Sequence, residues 1–414
     1  MLRFKNDDGS EFPEWEEKKI GELGTFIKGA ALSKADISES GSPLILYGEL
    51  YTTYKEVAYN IQRKTQAIVD KKYYSCVGDV IIPTSGESAE EISTATCVMV
   101  PDVILGGDLN IFRSNIVDGR IMSYILNHQV KEKIATIAQG KSIVHIQAKQ
   151  LANICVKYPL SKVEQRKIAE FLSTIDTVIG KQRATVSAWE KRKKGVMQKL
   201  FSQEVRFKAD DGSDFPDWEE KNFLDCISKI VDFRGRTPLK LGTNWNEEKS
   251  EYLALSALNV KKGYIDDTVD AHYGNEELYN IWMKGNELYK GQVLFTTEAP
   301  MGNVAQVPDD KPYILSQRTI AFVPDYTLLQ DDFLAVLLSS ADVQKKLDVL
   351  ATGGTAKGVS QKSLKSLDVK VPCLAEQQKI ADCLSSLDEV IEKQKATLAA
   401  WEELKKGLLQ QMFV

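Results

Sequence analysis

Apolar residues recur at alternating spacings of four and three in two long segments of the chain. In the first segment these positions, including two polar interruptions, are Ile168, Leu172, Ile175, Ile179, Gln182, Val186, Trp189, Lys193, Val196 and Leu200. The same alternation returns from Ile380 to Met412, at a constant offset of 212 residues. An average spacing of 3.5 residues keeps one face of a helix apolar over many turns. The pattern therefore predicts two long coiled-coil helices.

The polar interruptions fall at matching places in the two segments. Gln182 corresponds to Gln394, and Lys193 corresponds to Lys405. Polar residues in a seam weaken a helix pair but fix its register and orientation. The simpler alternative is that each helix packs only on its own domain. We favour an antiparallel pair, because a pseudo-two-fold axis across the seam would then relate the two halves of the chain.

The regions that precede these helices alternate short apolar runs with turn residues, as strands do. Strands are predicted at residues 43–47, 79–82, 109–112, 252–255, 292–295 and 319–323, and further helices over residues 122–137 and 331–350. Each region is therefore predicted to be a compact α+β domain. The predicted fold class is α+β, with two globular domains separated by two long helices that form an antiparallel coiled coil.

Two blocks of sequence occur twice, which predicts a pseudo-two-fold internal repeat. Residues 3–18 and 206–221 are identical at 13 of 16 positions, and residues 164–201 align with 376–413 without a gap. The regions between these blocks resemble each other little. We therefore predict a domain over 1–158, a central helix over 159–204, a second domain over 205–371 and a C-terminal helix over 372–414. Two related scaffolds would carry two different recognition surfaces.

Composition narrows the class of protein. The chain has 414 residues, of which 43% are hydrophobic and 27% charged, and a net charge of −5. This balance is typical of folded domains and argues mildly against general nucleic-acid coating, which favours basic proteins. No apolar run reaches 18 residues and no signal peptide is recognised, so a cytoplasmic location without membrane contact is expected. No closely spaced Cys/His set predicts a metal site.

The second variable region contains a basic, turn-rich segment, residues 233–240. Arginine on a Gly/Pro turn suits guanine edges and phosphates, while Asn and Gln suit adenine. Ordinary solvated surface charge is the alternative for any one of these residues. The candidate DNA-binding residues of this region are Arg234, Arg236, Lys240, Asn259, Lys261, Gln317, Arg318 and Lys357.

The first variable region offers an aromatic and polar run at residues 47–55 and a small-residue loop at 139–142. Small residues let backbone amides approach phosphates, and lysine adds charge. The candidate DNA-binding residues here are Tyr47, Tyr51, Tyr54, Lys55, Lys141 and Ser142. The loop at 139–142 is not a nucleotide-binding P-loop, because Ala135 stands where that motif requires its first glycine.

The motifs of the enzymes that modify or cut DNA are missing. An amino-methyltransferase would need an Asn/Asp-Pro-Pro-aromatic motif, and no two prolines are adjacent in this sequence. Pro216-Asp217 lies too close to Glu219-Glu220-Lys221 for the two parts of a nuclease motif to occupy separate strands. We therefore expect no catalytic residues in this chain.

The sequence resembles the specificity subunits of type I restriction–modification enzymes over its whole length. The resemblance rests on two dissimilar domains that alternate with two matching helices. It also rests on the start of each helix, Pro159 with Glu164-Gln165-Arg-Lys167-Ile168 and Pro372 with Glu376-Gln377-Gln-Lys379-Ile380. The segment Gly235-Arg-Thr-Pro238, together with Gly291-Gln-Val-Leu-Phe-Thr-Thr-Glu298, is similar to target-recognition domains of this family.

The resemblance implies a function in DNA recognition without catalysis. Each variable region would be a target-recognition domain that reads one half of a split, asymmetric site in double-stranded DNA. The helices would set the spacer and dock two modification subunits, and a restriction subunit would complete the complex. S-adenosylmethionine, ATP and Mg²⁺ would belong to those partners, with no cofactor in this chain. A free-standing DNA-binding regulator and a fused methyltransferase are the alternatives.

Overall fold

The computed structural model describes residues 2–138, 144–269, 271–353 and 357–413. The chain divides into two compact units. Unit 1 combines Met1–Ala184 with Ala396–Val414, and unit 2 is Thr185–Lys395. Each unit therefore holds one complete domain, one end of the central helix and the opposite end of the C-terminal helix.

The domain of unit 1 is built from short strands and short helices. Its strands are β1 (Glu16–Lys19), β2 (Thr25–Lys28), β3 (Ser42–Leu46), β4 (Val57–Ala58), β5 (Arg63–Thr65), β6 (Asp79–Pro83), β7 (Ser85–Gly86), β8 (Thr96–Val98), β9 (Ile104–Gly106), β10 (Leu109–Arg113), β11 (Val144–His145) and β12 (Cys155–Tyr158). Its helices are α1 (Ile20–Leu23), α2 (Glu49–Thr52), α3 (Ala89–Ile92), α4 (Gly119–Tyr124), α5 (Lys131–Ile137), α6 (Ala148–Ala152) and the first part of α7 (Lys162–Phe201).

The main sheet of unit 1 has the strand order β2-β10-β6-β8-β4. A second sheet has the strand order β5-β3-β9 and contains the parallel pair β3–β9. All five residues of β6 are buried, and the apolar run Val80-Ile81-Ile82 lies at its centre, as expected of a central strand. Strand β1 pairs with β12 and so brings the first repeated block next to the start of α7.

The domain of unit 2 follows the same plan with fewer strands. Its strands are β13 (Glu219–Asn222), β14 (Ile227–Asp232), β15 (Leu253–Leu255), β16 (His272–Tyr273), β17 (Val293–Thr296), β18 (Val304–Gln306), β19 (Ile314–Leu315), β20 (Thr319–Pro324) and β21 (Asp368–Val371). Its helices are α8 (Glu276–Met283), α9 (Asp331–Ser339), α10 (Ala341–Leu350), α11 (Gln361–Leu364) and the first part of α12 (Leu374–Phe413).

The two domains share one topology although their sequences share little. The order β14-β20-β17-β18 in unit 2 matches β2-β10-β6-β8 in unit 1, and β16-β15-β19 matches β5-β3-β9. The parallel pair recurs as β15–β19, and the terminal pair β1–β12 recurs as β13–β21. The predicted α+β class and internal repeat are confirmed, and the repeat also includes the two variable regions.

Both long helices were predicted close to their observed limits. Helices α7 and α12 each contain 40 residues and begin shortly after Pro159 and Pro372. At about 1.5 Å per residue each is about 60 Å long. The seam positions Ile168, Leu172 and Ile380 are at most 1% exposed, so the alternating pattern marks the inward face. In the described chain no helix is both long and apolar enough to cross a membrane.

Within each unit the two helices run antiparallel. In unit 1, Asp176 of α7 pairs with Lys405 of α12 at 2.7 Å. In unit 2, Lys193 of α7 pairs with Asp388 of α12 at 2.5 Å. In unit 1 Arg183 also pairs with Glu402, and in unit 2 Glu190 also pairs with Lys395. In each unit the α12 number falls as the α7 number rises, which defines an antiparallel pair. The alternative in which each helix packs only on its own domain is wrong.

A buried carboxylate at the start of each long helix explains the repeated N-terminal block. Glu164 is fully buried and accepts hydrogen bonds from Arg3 Nε and from Trp15 Nε1, both at 3.2 Å. Glu376 accepts the same bonds from Arg206 and Trp218, at distances between 2.8 and 3.1 Å. A buried charge is tolerated only when it is paired and hydrogen-bonded. The Arg and Trp of each repeated block are therefore required by the Glu of the following helix.

Two predicted helices are divided. Residues 331–350 form α9 and α10, which separate at Ser340, and the Ser340 hydroxyl accepts a hydrogen bond from the amide of Val343. Residues 122–137 form parts of α4 and α5, with a wider helical turn between them at Ile125–Gln129. An apolar face alone does not locate such breaks, because serine caps a new helix without changing the periodicity.

Candidate nucleic-acid interface

The basic turn of unit 2 follows β14, and its first arginine is exposed. Arg234 forms an ion pair with Asp232 at 2.5 Å, and Gln361 donates to the same carboxylate at 2.8 Å. Burial would raise the pKa of Asp232, but the hydrogen bonds from Arg234 outweigh it and hold the pKa below its usual value. Asp232 therefore stays ionised and presents the Arg234 guanidinium at the surface.

The second arginine of the turn has a structural environment. The Arg236 guanidinium lies over the ring of Phe233, 4.3 Å from its centroid, and donates to the backbone carbonyl of Trp282. Lys240 remains exposed, although its Nζ donates to the carbonyl of Gly235 at 2.6 Å. Arg236 thus holds the turn against α8, while Arg234 and Lys240 face outward.

Three other predicted residues of unit 2 lie around Glu298. Arg318 pairs with Glu298 at 3.3 Å, and both side chains are about half exposed. Gly358, next to the exposed Lys357, forms a β-bridge with Glu298. Glu298 and Gly358 line one shallow depression together with Arg234. The structure therefore brings Arg234, Arg318 and Lys357 together, and Gln317 is exposed beside them.

Asn259 lies inside its loop. Its side chain is fully buried, accepts hydrogen bonds from Ser256 and donates to the carbonyls of Asp266 and Val269. This amide closes the loop, so we assign it a structural role and leave it out of the proposed surface. Lys261 is half-buried on the same loop.

In unit 1 the predicted aromatic run forms α2 and the turn after it. Tyr47 and Lys55 are exposed. The Tyr51 hydroxyl donates to the carbonyl of Ser85 at 3.1 Å, and burial raises the pKa of Tyr51. Tyr54 is buried, and its hydroxyl accepts from the amide of Gln62. Lys141 and Ser142 lie outside the described residues.

Sequence reasoning missed three surface residues at corresponding strand ends. Asp108 precedes β10 and accepts a hydrogen bond from the Ser85 hydroxyl at 3.3 Å. Glu298 stands two residues beyond β17, as Ser85 stands two residues beyond β6. The signal available in the sequence was the glycine pair Gly106-Gly107 before Asp108, which marks a tight approach to a strand.

A second cluster that was missed joins the domain of unit 1 to α12. Lys405 is 8% exposed and contacts Glu56 at 2.9 Å as well as Asp176, and His128 contacts Glu56 at 3.3 Å. Burial opposes the charged form of Glu56, but the hydrogen bond from His128 and the charge of Lys405 outweigh it and lower its pKa strongly. Because these charged groups pair with one another, we assign the cluster of Lys405, Glu56, Asp176 and His128 a structural role and call it the lock.

Comparison with known proteins places these observations in one family. A sequence model described as "Type I restriction modification DNA specificity domain" matches residues 13–186 and again 217–400. The MjaVIII specificity subunit of a type I restriction enzyme from Methanocaldococcus jannaschii is 25% identical over 423 residues, which cover 98% of this chain and 94% of that protein.

Two solved structures share the fold. The S subunit of a type I restriction–modification system from M. genitalium superposes with a TM-score of 0.61 at 16% identity, over 100% of this chain and 98% of that one. A second structure, described as showing complex assembly and conformational transition of the type I R-M system, gives a TM-score of 0.55 at 15% identity, over 97% and 98% of the two chains.

Proposed function

The chain belongs to the type I restriction–modification DNA specificity family, and we propose that each of its units reads one half of a split, asymmetric site in double-stranded DNA. Two copies of the family domain match most of its length. In this proposal the chain supplies sequence recognition to a restriction–modification complex and performs no chemistry itself.

One observation supports this proposal above the others: the same domain topology occurs twice with different surface chemistry. Unit 2 exposes Arg234, Arg318 and Lys357, while unit 1 exposes Asp108 at the position that corresponds to Arg318, and Tyr47 after β3. Base edges in the major groove are distinguished by their donors and acceptors. Two similar domains with different donors and acceptors would read two different half-sites.

The repeated scaffold supports docking of two identical partners. The N-terminal blocks are nearly identical and the helices are similar in both halves, so each half offers a similar surface to the same protein. We propose that these surfaces bind two modification subunits, and that a restriction subunit joins the complex. One solved relative is described in terms of complex assembly of the type I R-M system. S-adenosylmethionine, ATP and Mg²⁺ would be bound by those partners.

Adenine-methylation mapping tests the proposal. The gene and its modification-subunit gene are expressed in cells without other adenine methylation, and cells with the modification gene alone serve as the control. We expect methylation at one split motif only when both genes are present. Methylation that ignores this chain, or a continuous unsplit motif, would contradict the proposal. The purified chain alone should transfer no methyl group from S-adenosylmethionine to DNA.

A further inference from the structure

A non-glycine residue with left-handed backbone links the two sheets in each unit. Asp108 has a φ of 40° and joins β9 to β10, and Arg318 has a φ of 62° and joins β19 to β20. We propose that this linking residue determines one base position in each half-site: Arg318 would contact a guanine, and Asp108 would accept a hydrogen bond from a cytosine amino group. The proposal rests on the proposed function.

The two linking residues occupy equivalent places with opposite chemistry. Each immediately precedes the second strand of its main sheet, and each contacts the residue two positions beyond the neighbouring strand. The contact is Arg318 to Glu298 in unit 2 and Asp108 to Ser85 in unit 1, both at 3.3 Å. An arginine suits the two acceptors of guanine, and a carboxylate suits the amino group of cytosine. Different half-sites require such a difference at a shared position.

The contacts of these side chains within the protein do not explain the left-handed backbone conformation at the two positions. A left-handed φ disfavours every residue except glycine, and least strongly Asn and Asp. The Arg318–Glu298 pair is 53% and 45% exposed, and exposed ion pairs contribute little to stability. A glycine would adopt this turn without strain. A charged side chain at a strained backbone position is typical of a functional site.

The other left-handed non-glycine residues of the described chain have no such counterpart. Asp102 lies at the opposite end of β9 from Asp108, Gln203 follows α7, and Ala299 adjoins Glu298. The two buried side-chain oxygens without a hydrogen-bond partner in the described chain belong to Asn110 and Thr319, at the start of β10 and β20. Unpaired buried polar atoms are rare in folded proteins. Their position close to both linking residues distinguishes these two strand ends from the other strand ends of the described chain.

The surroundings of the linking residues suit nucleic acid. Around Arg318 lie the exposed Gln317 and Lys357 and, across a shallow depression, Arg234. Around Asp108 lie Ser85, which pairs with His145 of β11, and Tyr51, whose hydroxyl donates to the carbonyl of Ser85. The cations around Arg318 can hold phosphates while Arg318 reaches a base edge.

Glycine substitution tests the proposal, because glycine removes the side chain and relieves the backbone. Arg318→Gly and Asp108→Gly are made in the full chain, which is then expressed with its modification subunit for methylation mapping. Arg318→Gly should lose about tenfold or more of the discrimination at a single guanine of one half-site. Asp108→Gly should do the same at one position of the other half-site. Spacer and remaining positions should not change.

Matched controls separate reading from folding. Asp102→Gly has the same backbone conformation at the other end of β9, and Lys311→Gln removes a charge paired with Asp309 before β19. Both controls should keep the motif. The melting temperature of the two linking variants should equal or exceed that of the wild-type protein, whereas a structural role predicts a lower value.

Three results would overturn the inference. They are an unchanged motif with full methylation, a lower melting temperature with an unchanged motif, and equal loss of binding to all duplexes. The third result is measured as the binding of the Arg318→Gln variant to four oligonucleotide duplexes that differ at one base pair. Failure of the proposed function is distinguishable, because the wild-type complex itself would then methylate no split motif.

Discussion

The two arginines of the basic turn differ in what their side chains contact. Arg236 is half-buried against Phe233 and the carbonyl of Trp282, whereas Arg234 is held at the surface by Asp232. A cation over an aromatic ring and a charged hydrogen bond to a carbonyl each contribute about 1 kcal/mol or more. An exposed ion pair contributes between about 0 and 1 kcal/mol. The same residue type therefore has a folding role at 236 and a surface role at 234.

Alanine substitutions at these two positions should give opposite results. Arg236→Ala is expected to lower the unfolding free energy by about 1–3 kcal/mol, because the turn loses its contact with α8. Arg234→Ala should change stability by less than about 1 kcal/mol, but should weaken binding to the specific duplex by about 1–3 kcal/mol if it reads a guanine. Chemical denaturation and a DNA-binding titration of the assembled complex measure both. Equal stability losses would contradict the assignment.

At the scale of the helices, one repeated lysine has two environments. Lys405 lies between Glu56 and Asp176 with a side chain 10% exposed, whereas Lys193 contacts Asp388 with a side chain 29% exposed. Both occupy the same heptad position. The second carboxylate comes from the domain of unit 1, so the lock fixes α12 to that domain.

Removing each lysine in turn tests this asymmetry. Lys405→Met leaves Glu56 and Asp176 partly buried without their cation, and should destabilise unit 1 by about 3–5 kcal/mol. Lys193→Met leaves an exposed aspartate and should cost about 1 kcal/mol or less. Hydrogen exchange of peptides from each unit separates the two effects. Similar protection losses in both variants would show that Glu56 adds nothing to the lock.

The lock also predicts a pH dependence. Because the pKa of Glu56 is lowered in the folded protein, its contribution is complete above its unfolded pKa of about 4.3 and is lost as the pH falls further. The raised pKa of Lys405, which Glu56 and Asp176 cause against the effect of burial, places the loss of its contribution at alkaline pH. Glu56→Gln should therefore destabilise unit 1 at pH 7 and progressively less in acid. A constant difference between pH 7 and pH 3 would exclude this.

The long helices could be predicted from sequence because five heptads leave little choice of fold. Their orientation followed from the repeat, and the polar seam residue Lys193 indeed contacts a charge of the facing helix. The shared topology of the variable domains could not be predicted. Strands such as β6 and β17 need only apolar residues at buried positions, so Val80-Ile81-Ile82 and Val293-Leu294-Phe295 can occupy the same place with few identities.

The site was predicted less completely. Arg234, Arg318 and Lys357 were named from charge and turn residues, and the fold brings them together. Asn259 and Tyr54 looked the same in sequence, but tertiary packing buries both. Asp108 and Ser85 were missed because they are 23 residues apart in the chain. Only the antiparallel pairing of β6 and β10 brings them into contact.

At the scale of the whole molecule, we propose that the paired helices set the spacer between the half-sites. Inserting one heptad after Thr185 and another after Thr397 keeps the seam in register, because seven residues restore the four-three spacing in each helix and both helices lengthen equally. Seven residues add about 10 Å, which is roughly three base pairs at about 3.4 Å each. The methylated motif should therefore gain about three base pairs of spacer and keep its half-sites.

As a control, the same heptad inserted only after Thr185 breaks the register and should abolish activity. A doubly extended, active variant with the original spacer would show that the helices do not measure distance.

The division of the chain into units also orders events during synthesis. Unit 2 is a continuous segment, Thr185–Lys395, whereas unit 1 needs residues 396–413 in addition to the first 184. Phe413 packs on Trp15 and Tyr124, so residue 413 must be synthesised before the first domain receives this core side chain. The domain translated first is thus completed last. A chain truncated after Lys395 should therefore leave unit 1 incomplete, whereas unit 2 keeps all of its residues and should fold.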